Sequence, residues 1–165
     1  MNNKRVSQAV VSLITAGSVA IAIAADLPKE GKYNYTACWS GTSSLIAFSK
    51  THTAMSFEFL GTTRTDPPGG MFDMSTFRCV GSTAILGKGF SSMSTCEAVN
   101  PNGDKLLSYF HAGDDRKYIR ETVAGTGKYE GIVVDGTVTP IGPFPVIKPG
   151  TFQGCNQQSG TYKLK

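Results

Sequence analysis

The chain has 165 residues, of which 40% are hydrophobic and 17% charged, with a formal net charge of +4. Two of the positive charges, Lys4 and Arg5, fall in a segment read below as removed, which leaves +2 (4 − 2) on residues 25–165. The other basic residues are scattered and no run of them lies beside aromatics, so nothing resembles the basic footprint of a nucleic-acid-binding protein.

In chain order, the first element is a leader. Lys4 and Arg5 give a positive start, residues 10–23 are apolar or small without a charge, and Ala22-Ile23-Ala24 supplies the small-x-small pattern cut by signal peptidase. This predicts a secretory signal peptide over 1–24 and a secreted or periplasmic protein beginning at Ala25. A membrane anchor fits less well, because the segment is short for a span, is diluted by Ser, Thr and Gly, and has no charged stop beyond it. No membrane span is then expected in the mature chain. Residues 25–165 suit one domain.

All four cysteines, Cys38, Cys79, Cys96 and Cys155, lie in that domain. Export places them in an oxidising compartment, where disulfides are expected. Three pairings are possible and sequence alone does not choose among them. The favoured set is Cys79–Cys96, joining neighbouring strands, and Cys38–Cys155, tying the first strand to the last. Zinc fits poorly: there is no C-x-x-C pair, and His52 and His111 stand far from any ligand-pair spacing. No metal or cofactor is implied.

After the leader no amphipathic helix is evident. Short β-rich runs alternate with turn residues, the pattern of an all-β sandwich or barrel. KYNYTACW (residues 32–39) places Tyr33, Tyr35, Ala37 and Trp39 on one face, and TAMSFEFLG (53–61) places Met55, Phe57 and Phe59 on one face with Glu58 on the other. Such alternation buries one face. RTDPPGG (64–70) is a loop. MSTFRCVGSTAIL (74–86) predicts a strand broken at Gly81, and KGFSSMSTCEAV (88–99) another. NPNGD (100–104) is the strongest turn, so residues 97–99 and 105–107 form a hairpin. GDDRK is a second turn, and YIRETVAG fits a strand or a helical turn. IVVDGTVTPI (132–141) is a strand, PFPVIKPG a proline-rich crossing that cannot be a central strand, and SGTYKLK the last strand. The count is about eight.

AGTGKYEGI (124–132) allows two readings, a phosphate loop or a tight turn. The phosphate-loop pattern G-x-x-x-x-G-K-[ST] asks for glycine at 122 and a hydroxyl residue after the lysine, where the chain has Thr122 and Tyr129. No β-α-β unit surrounds the run, so the dinucleotide fingerprint is excluded too. As a turn, glycines at 125, 127 and 131 permit positive φ and close backbone approach, and Tyr129 can fill a barrel end. GTGKYEG resembles the GGTGKY-x-G segment of the allene oxide cyclase-like and dirigent-like barrels, with Ala124 where a glycine is usual. CEAVNPNGDKLLSYF (96–110) is similar to an upstream segment of bacterial members. The resemblance covers about residues 88–138. It implies a single antiparallel eight-stranded β-barrel of calycin type with an apolar interior, and no particular reaction, since members differ in what they do.

No catalytic residue is assigned. Glu58 would become an acid only if it pointed inward, against the alternation. Glu121, beside Arg120, is ambiguous in the same way. Asp104, Asp114 and Asp115 occupy turns and lack calcium-loop spacing. His52 and His111 lack a positioned serine. The aromatics Tyr33, Trp39, Phe57, Phe59, Phe90, Tyr109 and Tyr129 form either the core or, where space stays open, the lining of a small cavity. The leading expectation is a non-enzymatic protein holding a small apolar ligand against Tyr33, Trp39, Phe57, Phe59, Tyr109 and Tyr129. The alternatives are a cyclase-type enzyme using an interior carboxylate or tyrosine, and a solid barrel that meets a partner, a second copy of itself included. An interior cavity above roughly 300 Å³ separates the first two from the third.

Overall fold

A computed structural model of the chain describes residues 28–165; the expected leader at 1–24 lies outside the described residues. Eight strands follow in order: β1 (Glu30–Ser49), β2 (His52–Thr65), β3 (Thr76–Leu86), β4 (Gly89–Val99), β5 (Lys105–Ala112), β6 (Ile119–Gly125), β7 (Val133–Ile141) and β8 (Thr151–Lys163). They form one sheet in the order β6-β5-β4-β3-β2-β1-β8-β7, every neighbouring pair antiparallel. The sheet curls until β6 and β7 lie side by side, but no hydrogen-bonded ladder joins them. The result is a nearly closed barrel with one seam. β7 is therefore an edge strand, which is why it tolerates Pro140, a residue with no N–H to give a ladder.

Alternation along the strands sets the core. Tyr33, Tyr35 and Ala37 of β1 point inward and are buried, while their neighbours face solvent. Two strands run further than the sequence pattern suggests. β1 continues past Trp39 through Ser49, and β8 begins at Thr151 instead of near Ser159. Most of their extra residues are polar, small or glycine and carry little β signal, with Leu45, Ile46, Phe48 and Phe152 the large apolar exceptions. Residues 40–49 of β1 pair with β2, with one register shift between Ala47 and Ser49, and residues 151–158 of β8 pair with β1. The expected break in β3 at Gly81 is absent. Gly81 pairs with Phe57 and Ser94 without interruption, and a Cβ there would meet the Phe57 ring at 2.7 Å and the Met93 carbonyl. Glycine is present to let a neighbouring ring lie across the strand, not to end it.

Both disulfides form as favoured. Cys38–Cys155 joins β1 to β8 and Cys79–Cys96 joins β3 to β4. In each case the two cysteines are direct cross-strand partners, with Cα atoms 4.1 Å apart, near the roughly 4.5 Å of a non-hydrogen-bonded pair. No free cysteine remains among the described residues. This state belongs to a non-reducing compartment. The two bridges sit on opposite faces: Cys38 is exposed outside, whereas Cys79 and Cys96 are buried within.

One end of the barrel is sealed. Residues 66–75, between β2 and β3, fold back into the opening and bury Met71 and Phe72. The Asp73 carboxylate fixes this segment by accepting the amides of Thr65 (2.9 Å) and Gly69 (2.7 Å). The Tyr33 ring meets Phe72 edge-on at 5.3 Å, and the Tyr129 ring stacks on it at 5.9 Å. The Asn100 side chain organises the β4–β5 turn at the same end, accepting the amides of Asn102 and Asp104, both at 2.9 Å. Residues 97–99 and 105–107 pair as the hairpin signal predicts.

Candidate functional site

The glycine-framed lysine belongs to this sealed end. Gly127–Tyr129 forms a single 3-10 turn between β6 and β7, and no α-helix follows it. Gly127 has φ 55°, in the left-handed region. At Gly125 the neighbouring Tyr129 carbonyl occupies the place a Cβ would need. The turn drives Tyr129 inward, where it is 1% exposed. A phosphate-cradling loop is thus ruled out in favour of barrel closure.

Above the sealed end the barrel encloses a cavity of about 350 Å³. Its two walls differ. On β1, β2, β3 and β8 the lining is aromatic: Trp39, Phe57, Phe59, Phe77 and Phe152. Phe59 lies 5.2 Å from Trp39, 5.6 Å from Phe57 and 6.0 Å from Phe152, so these rings form one cluster. On β4 the inward positions are small (Ser92, Ser94, Cys96, Ala98), joined by Thr83 of β3 and Ser108 of β5, while Leu106 and Phe110 of β5 also face the cavity. Rings on one side facing hydroxyls and sulfur on the other leave the space unfilled. Ser92 is held by its neighbours: Thr83 Oγ1 and Ser92 Oγ are 2.9 Å apart, and Tyr118 donates to Ser92 Oγ at 3.2 Å.

One lining side chain is charged. Arg120 of β6 reaches across the seam inside the barrel. Its Nη1 donates to Tyr35 Oη at 3.1 Å and to Gln158 Oε1 at 3.5 Å; Nε and Nη2 donate to Ser108 Oγ at 3.3 and 3.2 Å. Its guanidinium carbon stands 5.1 Å from the Phe72 ring centre and 5.6 Å from that of Phe110. Tyr35 donates in turn to Gln158 Oε1. Burial raises the Tyr35 phenol above its ordinary value, with Arg120 pulling the other way. Tyr35 is therefore a neutral hydrogen-bonding group at neutral pH. Tyr129 is likewise raised, first by burial, and its hydroxyl and that of Ser75 have no hydrogen-bond partner.

The sequence-derived site residues divide. Trp39, Phe57, Phe59 and Tyr129 line the cavity. Tyr33 does not: it is buried in the core of the sealed end against Phe72 and Tyr35. Tyr109 does not either. It lies on the outer face of β5, stacked on His111 at 5.4 Å, because the inward positions of β5 are Leu106, Ser108 and Phe110. Phe90 sits beneath the Arg116 guanidinium, 4.8 Å from its carbon, and is not part of the lining. The sequence marks out neither Arg120 nor the serines as lining residues. Their inward spacing on β4 (Ser92, Ser94, Cys96, Ala98) was visible in the sequence, but small polar residues do not announce which face they occupy.

The other candidates face outward. Glu58 pairs with Arg78 at 2.7 Å on the surface. Glu121 lies 3.1 Å from His111 Nε2. Asp115 accepts the Lys117 amide at 3.1 Å within its own turn, whereas Asp114 accepts the amide of Phe90 on β4 at 2.8 Å and so ties the β5–β6 connection to that strand. Asp104 is bonded to the Asn100 side chain at 3.1 Å. His52 Nδ1 lies 3.2 Å from Ser49 Oγ in the β1–β2 hairpin. Among the described residues no group of three His, Cys, Asp or Glu could hold a metal ion.

Fold and site together define a small disulfide-bonded barrel, closed at one end, with an aromatic-walled interior cavity. Comparison with protein-family models, with curated proteins and with solved structures finds no match.

Proposed function

We propose that the protein is an exported, non-enzymatic binding protein that holds one small, largely apolar molecule inside its barrel. The observation that carries this reading is the cavity of about 350 Å³ with its cluster of aromatic rings, a volume within the roughly 300–1,000 Å³ range of small-molecule sites. A solid barrel would leave no such space. For the cyclase-type alternative, no carboxylate is among the lining residues, so its only acid–base candidates are the lining tyrosines Tyr35, Tyr118 and Tyr129. The paired cysteines support an extracytoplasmic location, secreted or periplasmic. We further propose kinship with the allene oxide cyclase-like barrels, supported by eight antiparallel strands and by the closing role of residues 124–132.

The test uses Trp39, the one tryptophan of the chain, as a reporter in the cavity wall. Titration with 1-decanol is expected to change Trp39 emission saturably. Ser94→Phe, which fills the cavity from the small-residue wall, is expected to abolish the change while the protein stays folded. An emission unaffected by decanol, in a protein that also carries no co-purified small molecule in native mass spectrometry, would overturn the reading.

A further inference from the structure

The geometry points to a ligand that is not merely apolar but bears one anionic head group, a carboxylate, which Arg120 receives. This rests on the binding reading above and specifies its ligand.

The argument begins with charge. An arginine is cationic at every relevant pH. Arg120 projects into an otherwise apolar, hydroxyl-dotted cavity, yet every partner it has among the described residues is neutral: a phenol, an amide oxygen and a serine hydroxyl. The salt bridges of the described residues leave it out. Placing a cation where water is reduced costs free energy unless an opposite charge compensates it. The rings of Phe72 and Phe110 offset part of that cost, but they supply no counter-charge.

The second consideration is shape. Tyr35, Ser108 and Gln158 hold the guanidinium from three strands, so its plane is fixed before any ligand arrives. A planar fork of this kind matches a carboxylate in two parallel hydrogen bonds. The Tyr35 phenol, kept protonated by burial, and the Ser108 hydroxyl stand beside it as further donors once they turn toward an incoming oxygen. The aromatic cluster of Trp39, Phe57, Phe59 and Phe152 lies on other strands of the same cavity. A head group on Arg120 therefore leaves room for an apolar tail against those rings. An amphiphilic carboxylate satisfies both walls at once, which neither a neutral hydrocarbon nor a cationic amphiphile does.

A purely structural strut across the β6–β7 seam is the competing account of Arg120, and it makes a different prediction. The test compares two probes of equal chain length, decanoate and 1-decanol, by Trp39 emission at neutral pH, with decylamine as the charge-reversed control. The wild-type protein is expected to bind decanoate about tenfold or more tighter than decanol, as charge-assisted hydrogen bonds would give, and decylamine least. Arg120→Gln is expected to erase the preference by weakening decanoate about tenfold more than decanol; Arg120→Lys is expected to keep part of it. Equal affinities for decanoate and decanol in the wild type overturn the inference whether or not Arg120→Gln folds, and leave the binding reading standing. A preference that survives in folded Arg120→Gln overturns it as well. Binding of neither probe overturns both.

Discussion

At the scale of the residue, Asp73 shows how one carboxylate can hold a whole segment in place. Burial by itself would raise its carboxyl, but the amides of Thr65 and Gly69 outweigh that effect and hold it below its ordinary value. A carboxyl lowered on folding stabilises the fold above its unfolded value, near pH 3.9, and that stabilisation is lost as pH falls through the lower folded value. Asp73→Asn is therefore expected to melt below wild type at neutral pH, with the gap closing as the pH is taken below about 4. A gap that stays constant across that range would show that the carboxylate charge does not fix residues 66–75. Nothing in the pattern T-D-P-P-G-G-M-F-D pointed to this role. The loop was legible from its prolines and glycines, but the inward fold of Met71 and Phe72 depends on the positive φ of Phe72 (75°) and Met74 (51°), conformations that ordinary residues adopt only under tertiary constraint.

At the scale of the element, the strands with strong alternation were legible and those without it were not. The faces of β1 and β2 follow from Tyr33, Tyr35, Trp39, Phe57 and Phe59, and the β4–β5 hairpin from its Asn-Gly turn. The second half of β1 and the first half of β8 were not legible because they show no alternation of apolar and polar residues (Leu45, Ile46 and Phe48 are all exposed), so their pairing is set by the partner strand and not by their own side chains. Tyr109 misled for a related reason: β5 has large residues on both faces, so size alone could not tell inside from outside. The same logic of pairing predicts where the barrel opens locally. β1 is bonded on both edges, to β2 and β8, while β6 and β7 are each bonded on one edge only. Hydrogen exchange is expected to be faster for the amides of β6 and β7 than for those at the centre of β1. Uniform protection around the barrel would mean that the seam is closed in solution by bonds that this arrangement lacks.

At the scale of the whole molecule, the two disulfides divide the work by position. The bridge between Cys38 and Cys155 spans 117 residues of sequence and that between Cys79 and Cys96 only 17, so in the chain-entropy account they contribute about 5 and about 3 kcal/mol. The first is also the accessible one, since Cys38 is exposed while Cys79 is 2% exposed inside the barrel. Under limiting reductant, differential alkylation is expected to label Cys38 and Cys155 before Cys79 and Cys96, and most of the stability lost on full reduction is expected to go with that first step. Equal labelling of both pairs would show that the interior is freely open to the reagent. The barrel class was readable from the turn spacing and the apolar alternation, whereas the open interior was not, because emptiness arises from which small residues face which rings across the sheet. Finally, Met71, Phe72 and Tyr129 are buried across one end of the barrel. On the binding reading proposed above, a guest would not pass through this end, so arrival and departure would be left to the opposite end or the unbonded β6–β7 seam, and the barrel would serve as a cup and not as a channel.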